Sequence, residues 1–198
     1  MRKLVALLGI ISLLFPLPSA FCQTPSAVAA DLMSTAGAQM IGVVAATKGK
    51  VEVMTTGQVG RVVQSGEEIF IGDQVKTDTN GHLQILLRDQ TVFTIGPNSR
   101  IVIDEFVYDP KTRDGKIRAS IPKGIFRYVS GKIAAKKPSN VSVKLPTATI
   151  GFRGTIVGGE VRPDNSALVA LLGPGDQNDA GERSGSFVID GTGGGGQQ

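Results

Sequence analysis

From Ile41 onward, apolar and polar positions alternate with a period of two. Ile41, Val43 and Ala45 fall on one face of a predicted strand, and Val51 and Val53 on one face of the next, after a turn at Lys48-Gly49-Lys50. The alternation returns with Leu83, Ile85 and Leu87 set against His82, Gln84 and Arg88. It returns again with Thr91, Phe93 and Ile95, with Ile101 and Ile103, with Ile117, Ala119 and Ile121, and with Val141, Val143 and Leu145. Successive side chains of a strand point to opposite faces, so this pattern predicts half-buried strands. Gly72-Asp73, Asn80-Gly81, Asp89-Gln90, Gly96-Pro97-Asn98, Asp114-Gly115 and Gly131 supply the turns between them. Two more strands are expected over residues 167–172 and 186–189. The chain reads as all-β with little helix after Gln39, and the even spacing of short strands admits a sandwich, a barrel or a β-solenoid.

Outside that region the pattern differs. Arg2 and Lys3 precede an apolar run over residues 4–15, followed by Pro16-Leu17-Pro18-Ser19-Ala20. Charged, apolar and small-residue segments in this order predict a signal peptide over residues 1–22, cleaved after Ala20 or after Cys22, and a periplasmic or secreted protein. The apolar run is too short to cross a bilayer, and no later stretch is longer, so no retained transmembrane helix is expected. Phe21 stands where a lipidated cysteine would need a small neighbour, which argues against lipidation of Cys22. Residues 23–40 read as a flexible lead-in or a short helix over 29–36, and the Gly-rich residues 191–198 as a disordered tail.

Composition narrows the chemistry. The chain has 198 residues, 41% hydrophobic and 19% charged, with 26 glycines, no tryptophan, one histidine and one cysteine. A lone His82 and a lone Cys22 rule out four-cysteine, cysteine-histidine and multi-histidine metal centres, and leave only His82 for any Ser-His-Asp triad. With one cysteine no internal disulfide forms, so stability rests on core packing. His82, beside the Asn80-Gly81 turn, reads as a solvent-facing neighbour of that turn. No cofactor is expected. The formal net charge is +4, and loss of Arg2 and Lys3 with the leader lowers it to +2. A charge this small, export and few aromatics together argue against nucleic-acid binding.

The charge is uneven. Nine basic residues and only Asp114 as an acid lie between Lys111 and Lys137. Lys116, Arg118 and Ser120 share the strand face opposite Ile117, Ala119 and Ile121, and Lys123 and Arg127 continue the stripe. Such a face is either plain solvation or a binding surface for an anionic envelope partner. Asp104 and Glu105, adjacent on a strand, are expected on opposite faces, where they cannot flank one bond as a catalytic carboxylate pair must.

Residues 72–108, GDQVKTDTNGHLQILLRDQTVFTIGPNSRIVIDEFVY, carry a Gly-Asp start, alternating apolars, an Asp-led turn and a Pro-x-Ser before the next strand. Residues 145–155, LPTATIGFRGT, add Pro-Thr-Ala and Arg-Gly-Thr elements. Together these blocks resemble the FecR domain family over residues 41–160, with 161–190 as a C-terminal β extension. The resemblance implies an all-β, short twisted β-solenoid or sandwich-like domain with a non-enzymatic, extracytoplasmic protein-interaction or signalling role. The expected partner is an envelope protein or, alternatively, an anionic glycan. Asp89-Gln90-Thr91 stands where the family has Asp-Gly-Ser, so this turn lacks its glycine. The cytoplasmic anti-sigma segment, membrane helix and second subdomain of the family's iron-transport transducers have no counterpart in the sequence, so sigma-factor control is not implied. Arg153, between Gly151 and Gly154 in the closing segment, is expected to satisfy buried acceptors, with a ligand carboxylate as the alternative.

Overall fold

The computed structural model describes residues 39–55, 59–174 and 185–191. Residues 1–38, 56–58, 175–184 and 192–198, and with them the expected leader, lead-in and tail, lie outside the described residues. The strands are β1 (Met40–Lys48), β2 (Val51–Met54), β3 (Arg61–Val62), β4 (Glu68–Phe70), β5 (Gln74–Thr77), β6 (His82–Leu87) and β7 (Val92–Ile95). They continue with β8 (Arg100–Tyr108), β9 (Gly115–Val129), β10 (Val141–Lys144), β11 (Ala148–Arg153), β12 (Thr155–Val161), β13 (Ala167–Pro174) and β14 (Ser186–Gly191). All join one sheet, whose main path runs β3-β2-β5-β8-β9-β7-β6-β1-β4. Every pairing is antiparallel except β9 with β10. The all-β expectation therefore holds, and the antiparallel ladder makes a curled half-barrel.

β9 organises this sheet. Its first nine residues run along β8, with residues 117–120 also beside β10, and its last six run along β12, with residues 126–129 also beside β7. Ile117, Ala119 and Ile121 are buried in the first part, Phe126 and Tyr128 in the second, so the inward parity switches from odd to even. The switch falls at Pro122-Lys123-Gly124. There Gly124 has φ +97°, and a Cβ on it would collide with Ser99. The two halves of the sheet share one core. The Tyr128 ring stacks on Phe152 of β11 at 4.0 Å and tilts against Phe93 of β7 at 5.4 Å.

The predicted inward faces of β2, β6, β7, β8 and β10 are buried as the alternation required. β1 differs: Ile41 and Val44 are buried, Val43 is half-buried and Ala45 is exposed. Register shifts between Met40 and Gly42 and between Val44 and Ala46 break the period, because an extra residue rotates the following side chains to the other face. Helix is confined, among the described residues, to α1 (Lys132–Lys136) and a 3-10 turn over Pro138–Asn140. α1 inserts Ile133 and Ala134 into the core, and its first residues are tied to Asp89: the Lys132 N–H donates to the Asp89 carbonyl at 2.8 Å.

Candidate basic face and groove

On the first half of β9, Lys116 and Arg118 project from the outer face, as the alternation predicts. Both reach Glu105 of β8: Lys116 Nζ lies 3.4 Å and Arg118 Nε 3.3 Å from Glu105 Oε2. Beside them the Ser120 hydroxyl donates to Asp104 Oδ2 at 2.6 Å. The expectation that Asp104 and Glu105 face opposite ways is corrected here. Ile103 and Phe106 are both buried with two residues between them, and the ladder shifts register between Ile103 and Glu105. This irregularity turns both carboxylates outward, where each is engaged by a β9 side chain.

The parallel partner β10 extends the face. Arg118 lies beside Ser142 and Ser120 beside Lys144, so outward Lys144 joins the cations of β9. Next come Thr149 and Gly151 of β11, then Asp190 and Val188 of β14, opposite them in register. Ser139, Ser142, Thr149, Arg153, Val188 and Asp190 are among the residues that line an open groove of about 520 Å³. Arg153 is exposed there and its guanidinium makes no hydrogen bond or ion pair among the described residues, so it does not serve buried acceptors as expected. Its place at the end of β11, on the face of Thr149 and Gly151, points it to solvent.

The basic stripe of the sequence is thus divided. Lys116 and Arg118 share the face that carries Lys144 and, farther along, Arg153. Lys123 sits at the bend, and Arg127 lies on the outer face of the other half, opposite Thr94 of β7 and Gly158 of β12. The parity switch at Gly124 causes this division. Lys136 is occupied elsewhere, 2.9 Å from Asp114 Oδ2 and donating to the Thr112 carbonyl at 2.7 Å. Lys144 and the hydroxyl-bearing strands escaped the sequence reading. Lys144 was visible as the outward neighbour of Val143 and Leu145, but nothing local places β10 against β9. His82 is exposed, with Nδ1 3.1 Å from the Asn80 carbonyl. Among the described residues no group of His, Cys, Asp and Glu could hold a metal ion, and no helix is long and apolar enough to cross a membrane.

The motif residues that point inward build turns. Buried Asp73 accepts from the Thr55 hydroxyl at 2.6 Å and the Phe70 N–H at 3.0 Å. Buried Asp89 accepts from the N–H and the hydroxyl of Thr91, at 3.1 and 2.8 Å. The Ser99 hydroxyl accepts from the Ile125 N–H at 2.8 Å and donates to the Pro97 carbonyl, tying the Pro97-Asn98-Ser99 turn to β9. In Arg153-Gly154-Thr155, Gly154 has φ +53° where the chain passes from one half-sheet to the other. The Thr155 N–H then donates to Ser130 Oγ at 2.9 Å. Residues 73–173, just over half of the chain, match the profile of the FecR protein family. The chain belongs to the FecR family. A solved structure described as a cell surface anchoring domain is 32% identical, covering 31% of this chain and 82% of that one, with a TM-score of 0.30. No curated protein matches. The match to the FecR profile begins at Asp73 and ends within β13. In this FecR domain Gln90 has φ +72°, so it takes up the left-handed conformation that a glycine adopts freely, and the turn closes without one.

Proposed function

We propose that this FecR-family chain is an exported, non-enzymatic interaction module of the cell envelope, which docks an acidic partner protein on the outer face of β9, β10 and β11. Membership of a family of generally regulatory or signalling domains supports the non-enzymatic role. The observation that carries the docking reading is the co-facial set Lys116, Arg118, Lys144 and Arg153, of which Arg153 is unpaired among the described residues. Exposed cations on a firm sheet steer and orient an anionic partner without needing to be buried first. A second reading, recognition of an anionic glycan, is favoured by the Ser139, Ser142 and Thr149 hydroxyls beside Arg153, which can exchange hydrogen bonds with sugar hydroxyls. Lys123 and Arg127 lie apart from this face and contribute to long-range attraction only.

The test is capture of partners from envelope extract by the exported protein and by a Lys116→Glu/Arg118→Glu variant. Both side chains are partly exposed and pair with Glu105, so folding of the variant is checked by circular dichroism alongside capture. Capture should be lost in the variant and should weaken as salt rises from about 0.05 to 0.3 M, where screening shortens the reach of the charges. An acidic protein in the eluate supports docking, and an acidic saccharide supports the glycan reading. Capture indifferent to both salt and charge reversal would overturn both.

A further inference from the structure

Three basic side chains from different parts of the fold meet at the bend of β9. Arg100, the first residue of β8, lies directly opposite Lys123. Arg162 follows β12, whose last residue Val161 is opposite Gly124. With Pro122, Pro163 and Asn165 these residues line an open surface cavity of about 430 Å³, and no carboxylate is among its lining. Like charges set directly opposite across a ladder destabilise a sheet. Arg100 bears this on both sides, since its partner on β5 is Lys76.

The nearby acids do not pair with Arg100 or Lys123, although Glu160 and Asp164 partly offset the charge of Arg162. Glu52 is opposite Lys76 on the far side and is held by Lys50 at 2.6 Å. Glu160 lies 3.8 Å from Arg162 Nε but does not line the cavity. Asp164 accepts from the N–H and the hydroxyl of Ser166. Arg100 and Lys123 have no ion-pair partner among the described residues, and Arg100 Nε is buried with no acceptor. Two cations without a counter-charge beside one opening are what a bound anion would relieve.

We infer that this cavity binds a phosphate group, held by Arg100, Lys123 and Arg162. Cations approaching from three sides suit a tetrahedral anion with oxygens in every direction, whereas one guanidinium fork already satisfies a planar carboxylate. Pro122 and Pro163 stiffen the backbone on two sides, so little ordering is needed when the anion enters. The phosphate is either free in solution or carried on a lipid headgroup. This site goes beyond the docking face: it shares no residue with the Lys116, Arg118, Lys144 and Arg153 set and takes a different class of ligand.

The full chain is titrated with inorganic phosphate by calorimetry, and in parallel floated with phosphatidylcholine vesicles with and without phosphatidic acid. Saturable binding of phosphate without flotation assigns a soluble ligand, and flotation only with phosphatidic acid assigns a lipid. Lys123→Ala and Arg162→Ala, both at exposed positions, should each weaken the binding by about tenfold or more. Arg100→Gln removes the third charge at the opening, with folding checked by circular dichroism. Lys111→Ala, an exposed lysine outside both sites, should leave it unchanged. Absence of saturable binding in both arms, or binding that survives Lys123→Ala and Arg162→Ala, overturns the inference. Partner capture measured on these same variants separates the two readings, because the docking face is intact in them.

Discussion

Tyr128 is the largest fully buried side chain, wedged between Phe93 and Phe152. Its hydroxyl is buried and lies near Ser130 and Thr91 without meeting hydrogen-bond geometry. Both neighbours have other acceptors: the Ser130 hydroxyl donates to the Thr155 carbonyl and the Thr91 hydroxyl to Asp89. A buried hydroxyl left so costs about 1–3 kcal/mol of desolvation, whereas an apolar edge of the same shape costs nothing there. Tyr128→Phe is therefore expected to keep or raise stability, by up to about 1 kcal/mol in urea unfolding. Burial also pushes the phenol well above its ordinary value of 10.0. The folded state then holds the proton more tightly than the unfolded chain. This contribution to stability is complete below pH 10 and falls as pH rises above it, by up to about 1.4 kcal/mol per pH unit. Urea unfolding of parent and variant at about pH 8 to 11 should show that Tyr128→Phe flattens this alkaline loss. A variant that is less stable and keeps the same alkaline slope would mean that the hydroxyl has a partner.

At the scale of elements, β9 decides how the two halves meet, and Gly124 is its hinge of conformation. With φ +97° and Ser99 pressed against it, Gly124 meets two separate constraints, the left-handed backbone and the close approach. Gly72 meets only the first, with φ +79° and nothing near its missing Cβ. Gly72→Ala should cost about 1–2 kcal/mol, the strain of a left-handed alanine. Gly124→Ala should cost about 1–3 kcal/mol more, because Ser99 is fixed by Pro97 and Ile125 and cannot step aside. Equal losses in denaturant unfolding would show that the bend has room. The alternation in β9 was legible on each side of this point, since Ile117, Ala119, Ile121 and then Phe126 and Tyr128 are plain in the sequence. The switch between the two runs was not legible, because Pro-Lys-Gly also reads as a turn that ends a strand.

As a whole molecule, the half-barrel presents two unlike outer faces. One half carries Lys116, Arg118, Lys144 and the groove at Arg153. The other carries Arg127 among exposed Leu86, Ile125 and Leu172. The export reading adds a prediction for the entire chain. Intact-mass spectrometry after expression in a secreting host should find Phe21 or Gln23 at the N-terminus and no lipid on Cys22. A retained leader or a diacylglyceryl mass would contradict it.

Period-two alternation and turn chemistry are written within a few neighbouring residues, and from them follow many of the strands, most of the buried faces of those strands and the turns at Asp73, Asp89 and Ser99, but not β3, β4, β11 or β12. The outward course of Lys116 and Arg118 follows in the same way. Irregularities and partner choice depend on which strand becomes the neighbour, and local sequence carries no trace of that. Hence Val44 rather than Val43 and Ala45 fills the core, and Asp104 and Glu105 face the same side. Lys144 joins Arg118 only because β10 runs parallel to β9. Arg100, Lys123 and Arg162, scattered over 62 positions, meet only because β8 and β12 flank the same bend.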